Sequence, residues 1–388
     1  MNKFTATAAL GTALLSLSTT GCFKNDSKSA VNADGSGKFT MVMELNLAPI
    51  MGMLGGGGAG ANPLGDNRSM LVNMVRGMNS SVDVWTDAKV ETTKAGATRI
   101  TLAGLTKDFT ATGDIKKALS AAGPEMAEKT ASMPDLKMIS STKDATGNWI
   151  ISMVGVDEMM TMFTALQAEA AKESTFTPGE KVMTEDEIKT KITEFRPQYD
   201  QFKPMAAMFL KDMSITSEME VGGEILETKV LKKIGPNKVS WTFTGEQLID
   251  LVDGIVNDPA LPSKAAKLAA VFNEGPGSPN IAPVLKEFIS PYIATIYGGE
   301  TAPKVVIKPG AAIFDYAAEA AKATAAQSPE LKKILEEASK PAALPGLDKK
   351  AGETPKSKVV PPTPKKKAAS PLKWPVSQSA PSPQFAEN

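Results

Sequence analysis

The residues able to do chemistry in this chain are few, and their types are restrictive: its 388 residues include no histidine and a single cysteine, Cys22. Without histidine there is no imidazole base, no imidazole metal ligand and no Ser-His-Asp triad. Carboxylates, lysines and serines remain. Ser140-Ser141-Thr142-Lys143 has the S-x-x-K spacing, in which a lysine one helical turn after a serine takes its proton. That geometry needs the serine at a helix start. Here the tetrapeptide reads as a strand entering a turn, and no S-D-N or K-T-G element accompanies it. Gly55, Gly57 and Gly60 formally satisfy G-x-G-x-x-G. A dinucleotide site needs such glycines to open a helix directly after a strand, whereas Ala48–Leu54 precedes them and Asn62-Pro63 follows. No catalytic, cofactor-binding or metal-binding residue is assigned on this pattern, and no cofactor is expected.

Two other residue classes have suggestive spacing. Methionine is abundant, with pairs at Met41/Met43 and Met51/Met53 and a cluster at Met159, Met160 and Met162. Thioethers bind Cu(I), but Met41 and Met43 fall on the apolar face of an alternating strand. They read as adaptable core filler, or as the lining of a plastic apolar cavity. Met51, Met53 and Leu54 belong to a glycine-rich stretch, Ala48–Leu64, that reads as a mobile apolar loop suited to a lid or a membrane contact. The acidic groups Glu185-Asp186-Glu187 and Asp157-Glu158 stand at expected helix starts, where the helix dipole favours them. Neither has the alternating oxygen ligands of a calcium loop.

Residues 1–22 carry Lys3, an apolar run from Phe4 to Leu17, and then Leu17-Ser18-Thr19-Thr20-Gly21-Cys22. The run is too short and too rich in threonine to span a bilayer, so it reads as a removable signal. Small residues directly before a lone cysteine resemble the lipobox of bacterial lipoproteins. That resemblance covers residues 1–22 only. It implies that Cys22 is acylated through its sulfur, becomes the N-terminus and anchors the chain, since lipid burial contributes about 0.8 kcal/mol per CH2. Phe23, rather than aspartate, follows the cysteine, which favours the outer over the inner membrane of the cell envelope. With no second cysteine the body has no disulfide and is held by packing.

The elements that must position any site follow from periodicity. Residues 23–37 are polar and are expected to be a flexible tether. Lys38–Leu47 alternates as a half-buried strand; Ser81–Leu105 and Leu136–Val156 read as hairpins turning near Lys94-Ala95-Gly96 and Asp144–Asn148; and Ser214–Phe243 fits three strands. Trp241, between Val239 and Phe243, is expected in the core. Thr184/Glu187 and Thr244/Gln247 are capping boxes opening helices at 185–195 and 245–257. Further helices fit 66–78, 114–122, 157–172, 263–273, 281–297, 311–326 and 329–340. Gly96, Ile100, Leu102, Gly104 share their spacing with Gly147, Ile151, Met153, Gly155, and Gly235–Gly245 gives a longer version, so the body 38–340 has a hairpin–helix repeat as one reading.

From Pro341 to Asn388 the chain holds ten prolines and eight lysines against three acids. It cannot bury enough apolar surface to offset ordering, and is expected to be an extended, basic, disordered tail. The whole chain balances 43 basic against 43 acidic residues, so residues 23–340 are mildly acidic and give no electrostatic reason to bind nucleic acid. The expected fold is α+β: antiparallel hairpins with helices packed on one face. The expected function is a lipid-anchored, non-enzymatic envelope protein that binds a hydrophobic ligand or a protein partner, with an anionic envelope polymer as a partner for the tail. A carboxylate-dependent hydrolase and a purely structural tether are the alternatives.

Overall fold

A computed structural model describes residues 23–46, 67–94, 96–120, 130–131, 135, 137–161, 164, 183–275 and 278–340. The leader, the Ala48–Leu64 stretch, most of the expected helix 157–172 and the tail lie outside the described residues.

Alternation builds the first sheet. Strand β2 (Gly37–Leu45) turns Phe39, Met41 and Met43 to one face and Lys38, Thr40 and Glu44 to the other. It pairs antiparallel on one edge with β4 (Thr98–Thr106), and β4 pairs with β3 (Val84–Thr92). On its other edge lies β1 (Phe23–Val31), matched residue for residue from Phe23↔Leu45 to Val31↔Gly37. The segment expected to be a tether is therefore a strand for its first nine residues. It then pairs in parallel with β7 (Ser214–Val221), and with β9 (Lys232–Gly235) and β10 (Lys238–Thr244) beyond, it stands fourth in a seven-stranded sheet ordered β3-β4-β2-β1-β7-β10-β9. Composition misleads here because both faces of β1 are polar: Lys24, Asp26 and Lys28 on one, Asn25, Ser27 and Ser29 on the other. The backbone ladders on both edges hold it, and Ser27 and Ser29 hydroxyls add bonds to the Thr216 and Glu218 carbonyls at 3.3 and 3.4 Å.

The remaining strands, β5 (Ile139–Lys143), β6 (Trp149–Met153), β8 (Gly223–Lys229) and β11 (Lys304–Pro309), form a second sheet, ordered β5-β6-β11-β8. Ser214–Phe243 thus holds four strands instead of three. Val230, with φ 66°, breaks the run between β8 and β9, a conformation rare for a β-branched residue. The chain changes sheets at Gly222-Gly223, where a Cβ on Gly223 would lie 2.2 Å from the Lys308 carbonyl oxygen. Strand β11 was not expected at all, yet its Val305 and Ile307 are fully buried between β6 and β8.

Eight helices complete the described body: α1 (Asn67–Met78), α2 (Ile115–Ser120), α3 (Glu185–Leu210), α4 (Gly245–Val256), α5 (Leu261–Asn273), α6 (Ile281–Ile296), α7 (Tyr316–Ala326) and α8 (Pro329–Ser339). Both capping boxes form, and the Ser328 hydroxyl caps α8 by accepting from the Leu331 N–H. The fold is α+β, as expected, with mostly antiparallel sheets. The apolar face of the large sheet is divided. Helices α1 and α8 cover Met43, Trp85, Ala88, Ile100 and Leu102. The second sheet covers Val31, Met219, Val221 and Val239 through Trp149, Ile151, Ile225, Val305 and Ile307. Leu210, Met213 and Leu248 cover Ile215 and Phe243. The second sheet is a layer that the hairpin pattern alone did not separate. The strands of the noted repeat, β4, β6 and β10, each leave a hairpin, but β6 does so in the second sheet.

Helix α3 runs fifteen residues past its expected end, through Pro197 and Pro204. Each proline forfeits a helical hydrogen bond. Anchoring to α4 offsets that loss: the Arg196 guanidinium donates to the Val256 carbonyl, and Tyr199 and Lys203 both reach Asp253.

A proline in β1 would remove a ladder donor from the middle of a sheet. Ser27→Pro is expected to lower the melting temperature by on the order of 10 °C or to prevent folding; a tether would tolerate the change, so an unaltered melt by circular dichroism would contradict the central position of this strand.

Candidate functional site

Cys22 and the apolar trio Met51, Met53 and Leu54 lie outside the described residues. Ser140 and Lys143 sit on β5, an edge strand. Three residues apart on a strand, their side chains leave opposite faces, so Lys143 does not serve as the base for Ser140. The Ser140 hydroxyl instead leans on the Ser152 carbonyl at 3.5 Å. Met41 and Met43 pack with Phe23, Leu71 and Val75 under α1, and Met160 packs with Leu285 and Phe288. These thioethers act as core.

The acidic groups take local structural roles. Glu187 closes the capping box of α3, and Glu158 accepts from the Gly155 N–H at 2.9 Å. More telling are two acids at the C-terminal end of α4, the negative pole of its dipole, where a carboxylate is unfavourable unless cations meet it. Asp253 accepts from the Tyr199 hydroxyl at 2.5 Å and from the Lys203 ammonium on α3. Asp258 accepts from the Tyr292 hydroxyl of α6 at 2.5 Å and from Lys264 of α5 at 2.8 Å. Lys264 also lies 5.1 Å from the Tyr292 ring centre. Two Tyr-Asp-Lys clusters thus tie α4 to three helices. Lys264 first, then Tyr292, hold Asp258 down at about 2, and burial followed by the Asp258 carboxylate pushes the Tyr292 hydroxyl up. A carboxylate so depressed is a poor proton acceptor, and a phenol so raised is a poor proton donor. Sequence reading missed both clusters, though acids at the wrong end of a helix were a visible signal.

Three open grooves are lined by described residues. One, of about 300 Å³, crosses the polar face of the large sheet, and its carboxylates are each met by a lysine: Glu218 by Lys28 at 3.9 Å, Glu220 by Lys238 at 3.2 Å, Glu319 by Lys38 at 2.8 Å. A carboxylate pair for hydrolysis needs acids that are unmatched and converge, and this groove does not supply them. A second, of about 520 Å³, opens at the sheet end where β1 begins, between Lys24, Lys211, Ser214 and Thr244.

The third, of about 730 Å³, lies between β8–β10 and the end of α6. Trp241, Ile234, Ile296 and Tyr297 line it, and the Lys229–Glu300 ion pair, 3.2 Å apart, stands at its rim. Strand β9 is short beside this groove: its ladder on β10 stops at Ser240↔Lys232. Trp241 is half-buried: it packs against the cluster between the two sheets without being enclosed in it as expected, and its remaining surface opens on the groove. Its neighbour across the β7 ladder is the small Ser217, and it stacks on Phe243 with centres 6.2 Å apart. Ile234 remains 47% exposed, and burial pushes the Tyr297 hydroxyl up. Aromatic rings, an exposed isoleucine and a polar rim thus meet in one groove. Among the described residues no three His, Cys, Asp or Glu side chains group to hold a metal.

No family model matches the chain, and none of the curated proteins matches it. Among solved structures it is similar to the folded domain of LppM from Mycobacterium tuberculosis, determined by NMR. That likeness covers 58% of this chain and 84% of the other at 8% identity, with a TM-score of 0.24. It is too slight to transfer a fold or an activity.

Asp258 contributes stability above the unfolded carboxylate value of 3.8 and loses it as pH falls towards about 2. Asp258→Asn is expected to cost about 1.5–3 kcal/mol at pH 7, with the gap to the parent closing below pH 3. Thermal melts of both proteins at the two pH values measure this.

Proposed function

We propose that this protein is an exported, lipid-anchored component of a bacterial cell envelope whose body is a non-enzymatic binding module. The lipobox-like Thr19-Thr20-Gly21-Cys22 supports the anchor. Among the described residues no helix is long and apolar enough to cross a membrane; the acyl chains on Cys22 supply the attachment in this reading. Phe23 after the cysteine favours the outer membrane. The observation that carries the binding role is the groove holding Trp241, Tyr297 and the exposed Ile234. Its openness and polar rim suit a protein segment better than a wholly buried hydrophobic molecule. The lysines of residues 341–388 supply a cationic patch for an anionic envelope polymer.

Cys22→Ser is expected to move the protein from the membrane to the soluble fraction, and the intact mass of the parent should show an N-terminal acylated cysteine. Unchanged partitioning, or an unmodified N-terminus, would refute the anchor. For the groove, a photo-crosslinker at Ile234 in intact cells should give a discrete adduct that Trp241→Ala abolishes while the melting temperature stays within a few degrees; adducts indifferent to Trp241 would refute the binding role.

A further inference from the structure

The start of β1 makes the anchor and the sheet almost contiguous. Cys22 is bonded directly to Phe23, the first residue of the central strand, so the two Cα atoms are about 3.8 Å apart. No spacer remains between an acylated Cys22 and a sheet held by ladders on both sides. The register fixes which part of the body shares that end: Thr98, Leu45 and Phe23 stand in one row, and Lys24, Ser214 and Thr244 in the next. The opposite end, at Val31, Gly37 and Thr106, lies about 26 Å away, eight strand steps on.

The side chains gathered at the Phe23 end suit the surface of a bilayer. The groove of about 520 Å³ opens there, with Lys24 and Lys211 exposed on its walls. Neither lysine has an ion-pair partner among the described residues. Asp212 and Glu246 line the same groove, so it offers both signs to a headgroup that carries phosphate and ammonium. Met208, three residues before Lys211 and therefore beside it on α3, is 67% exposed. It is the most exposed large apolar side chain among the described residues. An apolar side chain beside an unpaired lysine, with a second unpaired lysine across the same groove, is the pattern of an interfacial contact, in which the apolar group enters the acyl boundary and the cations stay at the phosphates.

We propose that the body docks directly on the bilayer that holds Cys22, with the Phe23 end of the large sheet down. Met208 enters the interface, and Lys24 and Lys211 meet headgroup phosphates. This rests on the lipid anchor proposed above. Its consequence is orientation: the strands stand away from the membrane, and the turn between β1 and β2 is carried to the far end.

The test uses the full-length acylated protein in vesicles of phosphatidylethanolamine and phosphatidylglycerol containing a headgroup nitroxide lipid. The Cys22 sulfur is blocked by its acyl linkage, so a single introduced cysteine, Met208→Cys or Lys107→Cys, takes a fluorophore. Lys107 follows Thr106 at the far end and is exposed. The Met208→Cys probe is expected to be quenched several-fold more than the Lys107→Cys probe, and Lys24→Glu with Lys211→Glu should reduce that quenching at least twofold with an unchanged melting temperature. Equal or reversed quenching, with mass spectrometry still showing acyl chains on Cys22, would overturn the docked orientation and leave the anchor standing. Quenching indifferent to the two lysines would overturn the phosphate contact. Absence of acyl chains would overturn the anchor and the docking together.

Discussion

Strand β1 is held on both edges by backbone ladders, and the order of the large sheet depends on it. One edge pairs with residues that follow almost at once, through the turn at Asn32–Ser36. The other pairs with residues about 190 positions further along the chain. This parallel pairing joins the β2-β4-β3 side to the β7-β10-β9 side, so the sheet closes only after Ser214–Val221 has been made. Pairing at such separation carries a loop-closure cost before any contact compensates for it. The compensation comes from Val31, Val221 and Ile307, all fully buried where the two sheets face each other.

Closure also decides where the helices sit. The apolar face of the large sheet is too wide for one layer, and three separate clusters cover it. Beyond that sheet, α4, α5 and α6 build a further apolar cluster around Leu268, Leu285 and Phe288. Asp253 and Asp258 fix this helical part where α4 ends. An acid at that pole needs donors to stabilise it: the Ala260 N–H supplies Asp258 locally, and Tyr199, Lys203, Lys264 and Tyr292 supply both acids from three other helices. Removing one partner of such a cluster leaves the others unsatisfied, which is why it specifies geometry more than it adds energy.

The chemistry of the described surface follows from this economy. The described acids that titrate away from their ordinary values move downward, because hydroxyls, backbone donors or cations meet them. A general acid requires the opposite environment. The features left without a matching partner are mainly apolar, Trp241 and Ile234 beside a strand edge and the exposed Met208, the last standing next to the unpaired Lys211. Such features suit binding, and they lie at different places in the fold.

Local rules read from the sequence alone held where one face of an element is plainly apolar or a cap is spelled out. Alternation located β2 through Phe39, Met41 and Met43; glycine turns located β3–β4 and β5–β6; and the capping boxes at Thr184 and Thr244 located the starts of α3 and α4. The absence of histidine bounded the chemistry without any structure. Other features depended on distant partners. Strand β1 has no apolar face to betray it, and is a strand because β2 and β7 offer ladders to both of its edges. Strand β11 is a short apolar run whose identity comes from the gap between β6 and β8. Trp241 looked like core from its own strand, but the burial of a side chain is set by what packs over it, and Trp241 packs on the inter-sheet cluster on one side while opening on the groove beside Ile296 and Tyr297 on the other. Periodicity reports the chain's own backbone; exposure, clefts and the company of Asp253 and Asp258 arise only when segments far apart in sequence meet.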